Sequence, residues 1–215
     1  MSEPIHDLLS PGDLLRMSVL TRGFYQRPTV DVARELLGKI VIRSAEGGLV
    51  ALRITEVEAY LGESDPACHT YGGRRTRRTE TMWGPAGAAY VYLIYGIHSC
   101  LNVVTVGEGV PEAVLVRGGA PVAGIDLIRR RRGARVPVSR LSDGPGKLCQ
   151  ALAVDRGQDG ADLCRRESGI WFVDDPDRAE PVIRAAARVG IDYAGEAAAW
   201  PLRFLAHGFQ SPASE

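Results

Sequence analysis

The segment Ile54-Thr-Glu-Val-Glu-Ala-Tyr60 decides how the rest of this chain is read. It alternates, which puts Ile54, Glu56, Glu58 and Tyr60 on one face of an extended strand and Thr55, Val57 and Ala59 on the other. Two carboxylates on a face led by isoleucine break a half-buried pattern. Carboxylates are buried only when they are paired or at work, so at least one of the two is expected to face a cleft. The alternative is an edge strand with both solvated. Downstream, Ala89-Tyr-Val-Tyr-Leu-Ile-Tyr95-Gly-Ile-His-Ser-Cys-Leu-Asn102 alternates, breaks at Gly96 and resumes at His98. This is the mark of a β-hairpin turning near Tyr95-Gly96, with Tyr95 at an exposed tip.

Outward from these segments, Pro28-Thr-Val-Asp-Val-Ala-Arg-Glu-Leu-Leu-Gly38 predicts a short helix, with Thr29 near its N-cap and Gly38 as its stop. Residues 39–43 and 49–60 read as strands joined across Glu46-Gly-Gly48. Residues 61–81 are polar, rich in glycine and arginine, and aperiodic; so long a loop inside a domain is functional or disordered. Residues 112–117 read as another strand, stopped by Gly118-Gly119. The stretch 121–128, followed by Arg129 to Arg132 and Gly133, reads as a helix with cations in its last turn, and residues 144–152 as a further helix. Short apolar pieces lie near 185–191 and 200–204. With no repeat and no shift in composition, these elements imply an α+β fold. A single mixed domain over residues 21–207 is expected, a curved, largely antiparallel sheet with flanking helices and a protruding hairpin, between a flexible leader (1–20) and a flexible tail (208–215).

A chain of 215 residues, 45% hydrophobic and 24% charged, has ordinary globular composition and enough length for one good core. No apolar run approaches the roughly 20 residues of a membrane span. The start Met1-Ser-Glu-Pro-Ile-His lacks the basic and apolar parts of a secretory signal. No membrane partner is therefore expected, and an intracellular location, cytoplasmic and nucleoid-associated in a bacterium. The 26 basic residues balance 26 acidic ones, so only local clustering can mark a nucleic-acid partner. Arg74, Arg75, Arg77 and Arg78 form one cluster and Arg129 to Arg132 another; each otherwise reads as a solvated face. Cys68, Cys100, Cys149 and Cys164 form no C-x-x-C pair and are expected to be reduced core thiols.

Read in order, Glu56-Val-Glu58-Ala-Tyr60-Leu-Gly, Asp65-Pro-Ala-Cys-His69, Gly72-Gly-Arg74, Tyr90-Val-Tyr92-Leu-Ile-Tyr95-Gly, Asn102 and Gly144-Pro-Gly-Lys147-Leu-Cys-Gln-Ala-Leu carry a resemblance. The chain resembles the alkyladenine (methylpurine) DNA glycosylase family, which excises alkylated and deaminated purines from duplex DNA. The likeness runs from near Leu20-Thr-Arg-Gly-Phe-Tyr to Trp200-Pro-Leu-Arg-Phe204. It implies a monomeric enzyme that everts a damaged purine from double-stranded DNA and hydrolyses its N-glycosidic bond without cofactor or metal. The product is an abasic site in an uncut strand, since no motif positions a lysine or an N-terminal proline for a lyase's Schiff base. Ile97 and His98 after the tip, and the strongly basic Arg75-Thr-Arg-Arg78, depart from the family pattern.

Hydrolysis at C1′ needs an aligned water and stabilisation of an oxocarbenium-like state, and one carboxylate can serve both. A base made cationic by alkylation leaves without a general acid. Spacing does not choose between Glu56 and Glu58; the resemblance selects Glu58 as general base. It also implies that Arg117 holds the attacking water, close enough to lower the pKa of Glu58 and keep it ionised. Tyr60 and Tyr92 are implied as rings that stack on the everted base, with His69 packing and hydrogen-bonding beside them and Asn102 crowding guanine's exocyclic amine. Tyr95 is implied as a wedge into the duplex, and Arg74, Arg78 and Lys147 as phosphate contacts. Read without the resemblance, Arg117 is a strand-end cation, the two rings are core filling and Asn102 is a turn or strand-end polar residue.

Three rival readings exist. Cys68-His69 and His98-Ser-Cys100 could hold zinc, although an extended Cys-His pair points opposite ways and neither pair has the gap of structural zinc sites. A hydrolase of free modified purine nucleosides needs the carboxylate but neither the exposed Tyr95 nor the arginine loop. A non-catalytic DNA-binding module needs the loop but not the carboxylate.

Overall fold

The computed structural model describes residues 8–45, 47–175 and 180–207. The expected tail and the first seven residues of the expected leader lie outside these, as does Glu46 of the first hairpin turn. The elements run α1 (Pro11–Arg16), α2 (Arg22–Tyr25), α3 (Thr29–Leu36), β1 (Ile40–Ala45), β2 (Gly48–Tyr60), β3 (Ala89–Ile94), β4 (His98–Val104) and β5 (Ala113–Ala123). Then follow α4 (Ile125–Arg132), α5 (Pro145–Leu152), β6 (Ile170–Val173), β7 (Val182–Ala186) and β8 (Arg203–His207). One open antiparallel sheet takes every strand in the order β3-β4-β5-β2-β1-β6. Beyond the reach of β1, β8 pairs with β2 at Glu56 to Glu58 and carries β7 on its far side. The fold is α+β, as expected. No helix of the described residues is long and apolar enough to cross a membrane.

The sheet is organised around β2, which is central: β5 lines one edge of it, and β1 then β8 the other. The edge-strand alternative is thereby removed. The strict alternation expected for residues 54–60 also fails, for a physical reason. Pairing with β5 slips between Ile54 and Glu56 and again between Glu56 and Val57. Such a bulge shifts the side-chain phase, because strand faces alternate with period two. Ile54 therefore packs in the same core cluster as Val57 and Ala59, while Glu56, Glu58 and Tyr60 turn to the opposite side. The carboxylates left the apolar face because the strand kinked, not because the core accepted them.

Gly118 and Gly119 stand opposite this bulge and do not stop a strand. A Cβ on Gly119 would lie 3.0 Å from the Arg53 carbonyl oxygen and 3.1 Å from Leu52 Cβ, so glycine is what lets β5 approach. β5 accordingly continues to Ala123, and α4 begins at Ile125, four residues later than the sequence suggested. The arginines at 129 to 132 do fill the last turn of α4. In α3, Thr29 is the first helical residue and its hydroxyl is spent on Glu112, to which it donates, and Thr105, while Gly38 follows the helix at φ 82°. The leader is held from within: Leu14 of α1 is fully buried and Val19 bridges to Val173. The β3–β4 hairpin turns where expected, with Ile94 opposite His98 and positive φ at both Tyr95 (53°) and Gly96 (72°).

Candidate active site

The polar face of β2 opens on a cavity of about 390 Å³, within the range of small-ligand sites. Its walls are built from the end of β2 (Tyr60), β3 and β4 (Tyr92, Asn102), β5 (Arg117), the 61–83 loop (His69, Arg78) and the 189–193 segment (Val189).

Glu58 sits behind this wall with no exposed surface. Its Oε1 accepts from the Val189 backbone N–H at 2.8 Å, and its Oε2 accepts from the Tyr60 hydroxyl at 2.8 Å. Arg117 Nη1 lies 3.3 Å from the same Oε2, and Arg117 Nε donates to Glu56 Oε1 at 2.9 Å. Arg203 joins Glu56 from β8 at 3.1 Å. The geometry thus separates two glutamates that spacing could not: Glu56 anchors the guanidinium, and Glu58 receives its free end. Burial pushes the Glu58 carboxyl above its ordinary range, while Arg117, the Val189 N–H and the Tyr60 hydroxyl pull the other way. The lowering expected from Arg117 is present but outweighed. Burial also opposes the charge on Arg117, but Glu58 and Glu56 more than offset it. Burial, then Glu58, holds the Tyr60 hydroxyl far above the usual phenol range, so it stays a donor.

Further aromatic rings line the same cavity. His69 meets Tyr92 edge-on at 4.7 Å between centroids and 79° between planes, and Tyr92 leans on Tyr90 at 5.3 Å. His69 Nδ1 is 3.0 Å from the Tyr90 hydroxyl. Burial, with Arg78 and Arg74 adding repulsion, lowers the imidazole to about 4, so it is neutral near pH 7. Asn102 is buried and its amide donates to the Tyr90 carbonyl at 3.0 Å. Among the described residues no three His, Cys, Asp or Glu side chains gather as metal ligands would.

Sequence reasoning missed the support behind Tyr60. Asp65 and Arg188 form a bidentate ion pair at 2.5 and 2.8 Å with both side chains fully buried. Arg188 also donates to the Ala59 carbonyl, and its guanidinium carbon lies 4.8 Å from the centre of the Tyr60 ring. Nothing local in Arg188-Val189-Gly190 marks it as buried. A burial signal would have required knowing that it packs against Asp65, 123 positions away.

Of the residues expected to meet DNA, Tyr95 and Arg78 line the cavity. Tyr95 is 87% exposed at the hairpin tip, and the neighbouring Ile97 is 74% exposed. Arg74 is exposed with no carboxylate partner among the described residues, whereas Arg75 is bonded to Glu80. Arg78 is exposed as well, but its guanidinium carbon stands 4.9 Å over the Tyr92 ring and it lines the cavity. Lys147 is paired with Asp143 at 2.8 Å in the first turn of α5. That turn abuts the hairpin base, where a Cβ on Gly146 would meet His98 at 3.1 Å.

A family model described as methylpurine-DNA glycosylase (MPG) matches residues 23–210. The chain belongs to that family. Relatives assigned as 3-methyladenine DNA glycosylases align along nearly all of it. That of Methanocella arvoryzae is 48% identical over 188 residues, 87% of this chain and 92% of its own. Those of Desulfitobacterium hafniense (44% over 195 residues, 87% and 95%) and Clostridium acetobutylicum (43% over 196, 88% and 94%) follow. As a methylpurine-DNA glycosylase the chain is a DNA-repair enzyme, a hydrolase of N-glycosyl bonds.

Proposed function

We propose that this glycosylase acts as a monomer on double-stranded DNA inside the cell, where it everts one alkylated or deaminated purine and hydrolyses its N-glycosidic bond. Glu58 is the general base. Water attacks C1′ and yields its proton to Glu58, the C1′–N bond breaks with its electrons passing to the base, and an abasic site remains in an uncut strand. The observation that carries the reading is the fully buried Glu58, held by three groups, Tyr60, Arg117 and Val189, that each line an aromatic cavity. The 3.3 Å Arg117 contact is the longest of the three, and in this proposal the attacking water enters from the cavity to meet guanidinium and carboxylate there. A carboxyl raised by burial suits a base operating near neutral pH.

Eversion of a base costs a few kcal/mol, least for a damaged one. Stacking returns roughly 1–3 kcal/mol per base, so a sandwich between Tyr60 and Tyr92 plus one hydrogen bond about balances it. Tyr95 fills the gap left in the duplex, Asn102 crowds the exocyclic amine of guanine, and Arg74 and Lys147 hold phosphates.

The test incubates the protein with duplexes that each carry one modified purine, and with the matching free nucleosides, assaying both free base and strand breaks. Base release from the duplex alone, without breaks, is expected. Preferential release from free nucleosides, or binding of duplex with no release, would overturn the proposal.

A further inference from the structure

The cavity contains two cations whose surroundings differ. The charge on Arg117 is answered by Glu56 and Glu58. Arg78 has no carboxylate partner among the described residues; it is spread over the Tyr92 ring at 4.9 Å and lines the same space. His69 does not add to or offset this charge, because its imidazole is neutral near pH 7. The Tyr92 side of the cavity therefore presents an unmatched positive charge to whatever stacks there.

Resting on the proposed function above, we infer that Arg78 is a specificity-determining residue that sorts purines by charge, favouring neutral lesions over cationic ones. N3- and N7-alkylated purine nucleotides carry a full positive charge, whereas hypoxanthine and etheno bases are neutral. A cationic base entering beside Arg78 is repelled. A neutral base gains negative charge as the C1′–N9 electron pair passes to it, and a facing guanidinium stabilises that charge until the base is protonated by solvent. Arg78 thus partly replaces the leaving-group acid that two-carboxylate glycosidases use. Because its side chain is exposed, screening limits the effect to roughly tenfold.

The test compares full-length wild type, Arg78→Gln and Arg78→Lys on one duplex sequence bearing either hypoxanthine or 7-methylguanine, with kcat/KM for free-base release as the readout. Arg78→Gln is expected to lower the hypoxanthine-to-7-methylguanine ratio about tenfold, and Arg78→Lys to keep it near the wild-type value. A uniform loss on both lesions would identify a grip on the DNA and overturn the charge role, as would no change on either. Failure of the wild type to release either base would sink the proposed function itself, a result distinct from an unchanged ratio.

Discussion

The backbone N–H of Val189 donates to Glu58 Oε1 at 2.8 Å, joining residues 131 positions apart. That bond is only as well placed as the segment carrying it, and the segment is clamped by the neighbouring Arg188 to Asp65. Removing one partner of a fully buried ion pair leaves an uncompensated charge, at a cost of about 3–5 kcal/mol. Asp65→Asn is expected to lower stability by that order in urea unfolding, and Asp65→Asn with Arg188→Met to recover part of it. A single variant as stable as wild type would contradict the clamp.

With Glu58 as the proposed general base, which must be ionised to act, the pH profile of excision should report on its carboxyl. Burial raises its carboxyl above the ordinary 4.5, so the acid limb of the profile should lie above that value. Arg117 is the largest influence pulling it back down, so Arg117→Met should lower the rate and move the acid limb to higher pH. A limb that stays in place, or moves to lower pH, would separate the two residues.

Stability should also report on His69. Its imidazole is held at about 4 when folded against an ordinary 6.5, so between these values the unfolded chain binds a proton that the folded chain refuses. Stability from this residue is fully present above about pH 6.5 and is lost as the pH falls toward 4. Denaturation midpoints measured across that window should decline more for wild type than for His69→Gln; parallel curves would remove the histidine from the balance.

Tyr95 combines 87% exposure with φ 53°, a conformation costly for a bulky residue. Packing does not explain it; the proposed wedge into the duplex does. Tyr95→Gly is expected to leave the melting temperature unchanged or raised, since glycine takes positive φ freely, while excision from duplex falls at least about tenfold. A destabilised variant with normal excision would reverse both assignments.

The hairpin was legible because glycine after an alternating run has one common meaning, and the β2 segment because its composition is unusual. The bulge was not. A run of seven residues carries no sign that its phase slips at Glu56, and the two glycines that permit the slip, Gly118 and Gly119, read locally as a stop. Single-strand periodicity cannot encode a feature that exists only between strands. Spacing likewise could not show that Glu56 and Glu58 meet different ends of Arg117, a difference that exists only between strands. Arg188 and Val189 escaped notice because their burial is conferred wholly by distant chain.

The most direct trial of the mechanism is Glu58→Gln, which keeps the volume and can still accept hydrogen bonds but cannot take a proton from water. Binding to a duplex carrying one hypoxanthine and release of the free base should be measured on the same preparation. Binding within a few-fold of wild type with base release down by at least about 10²-fold is the expected result; near-normal release would show that position 58 is not the base.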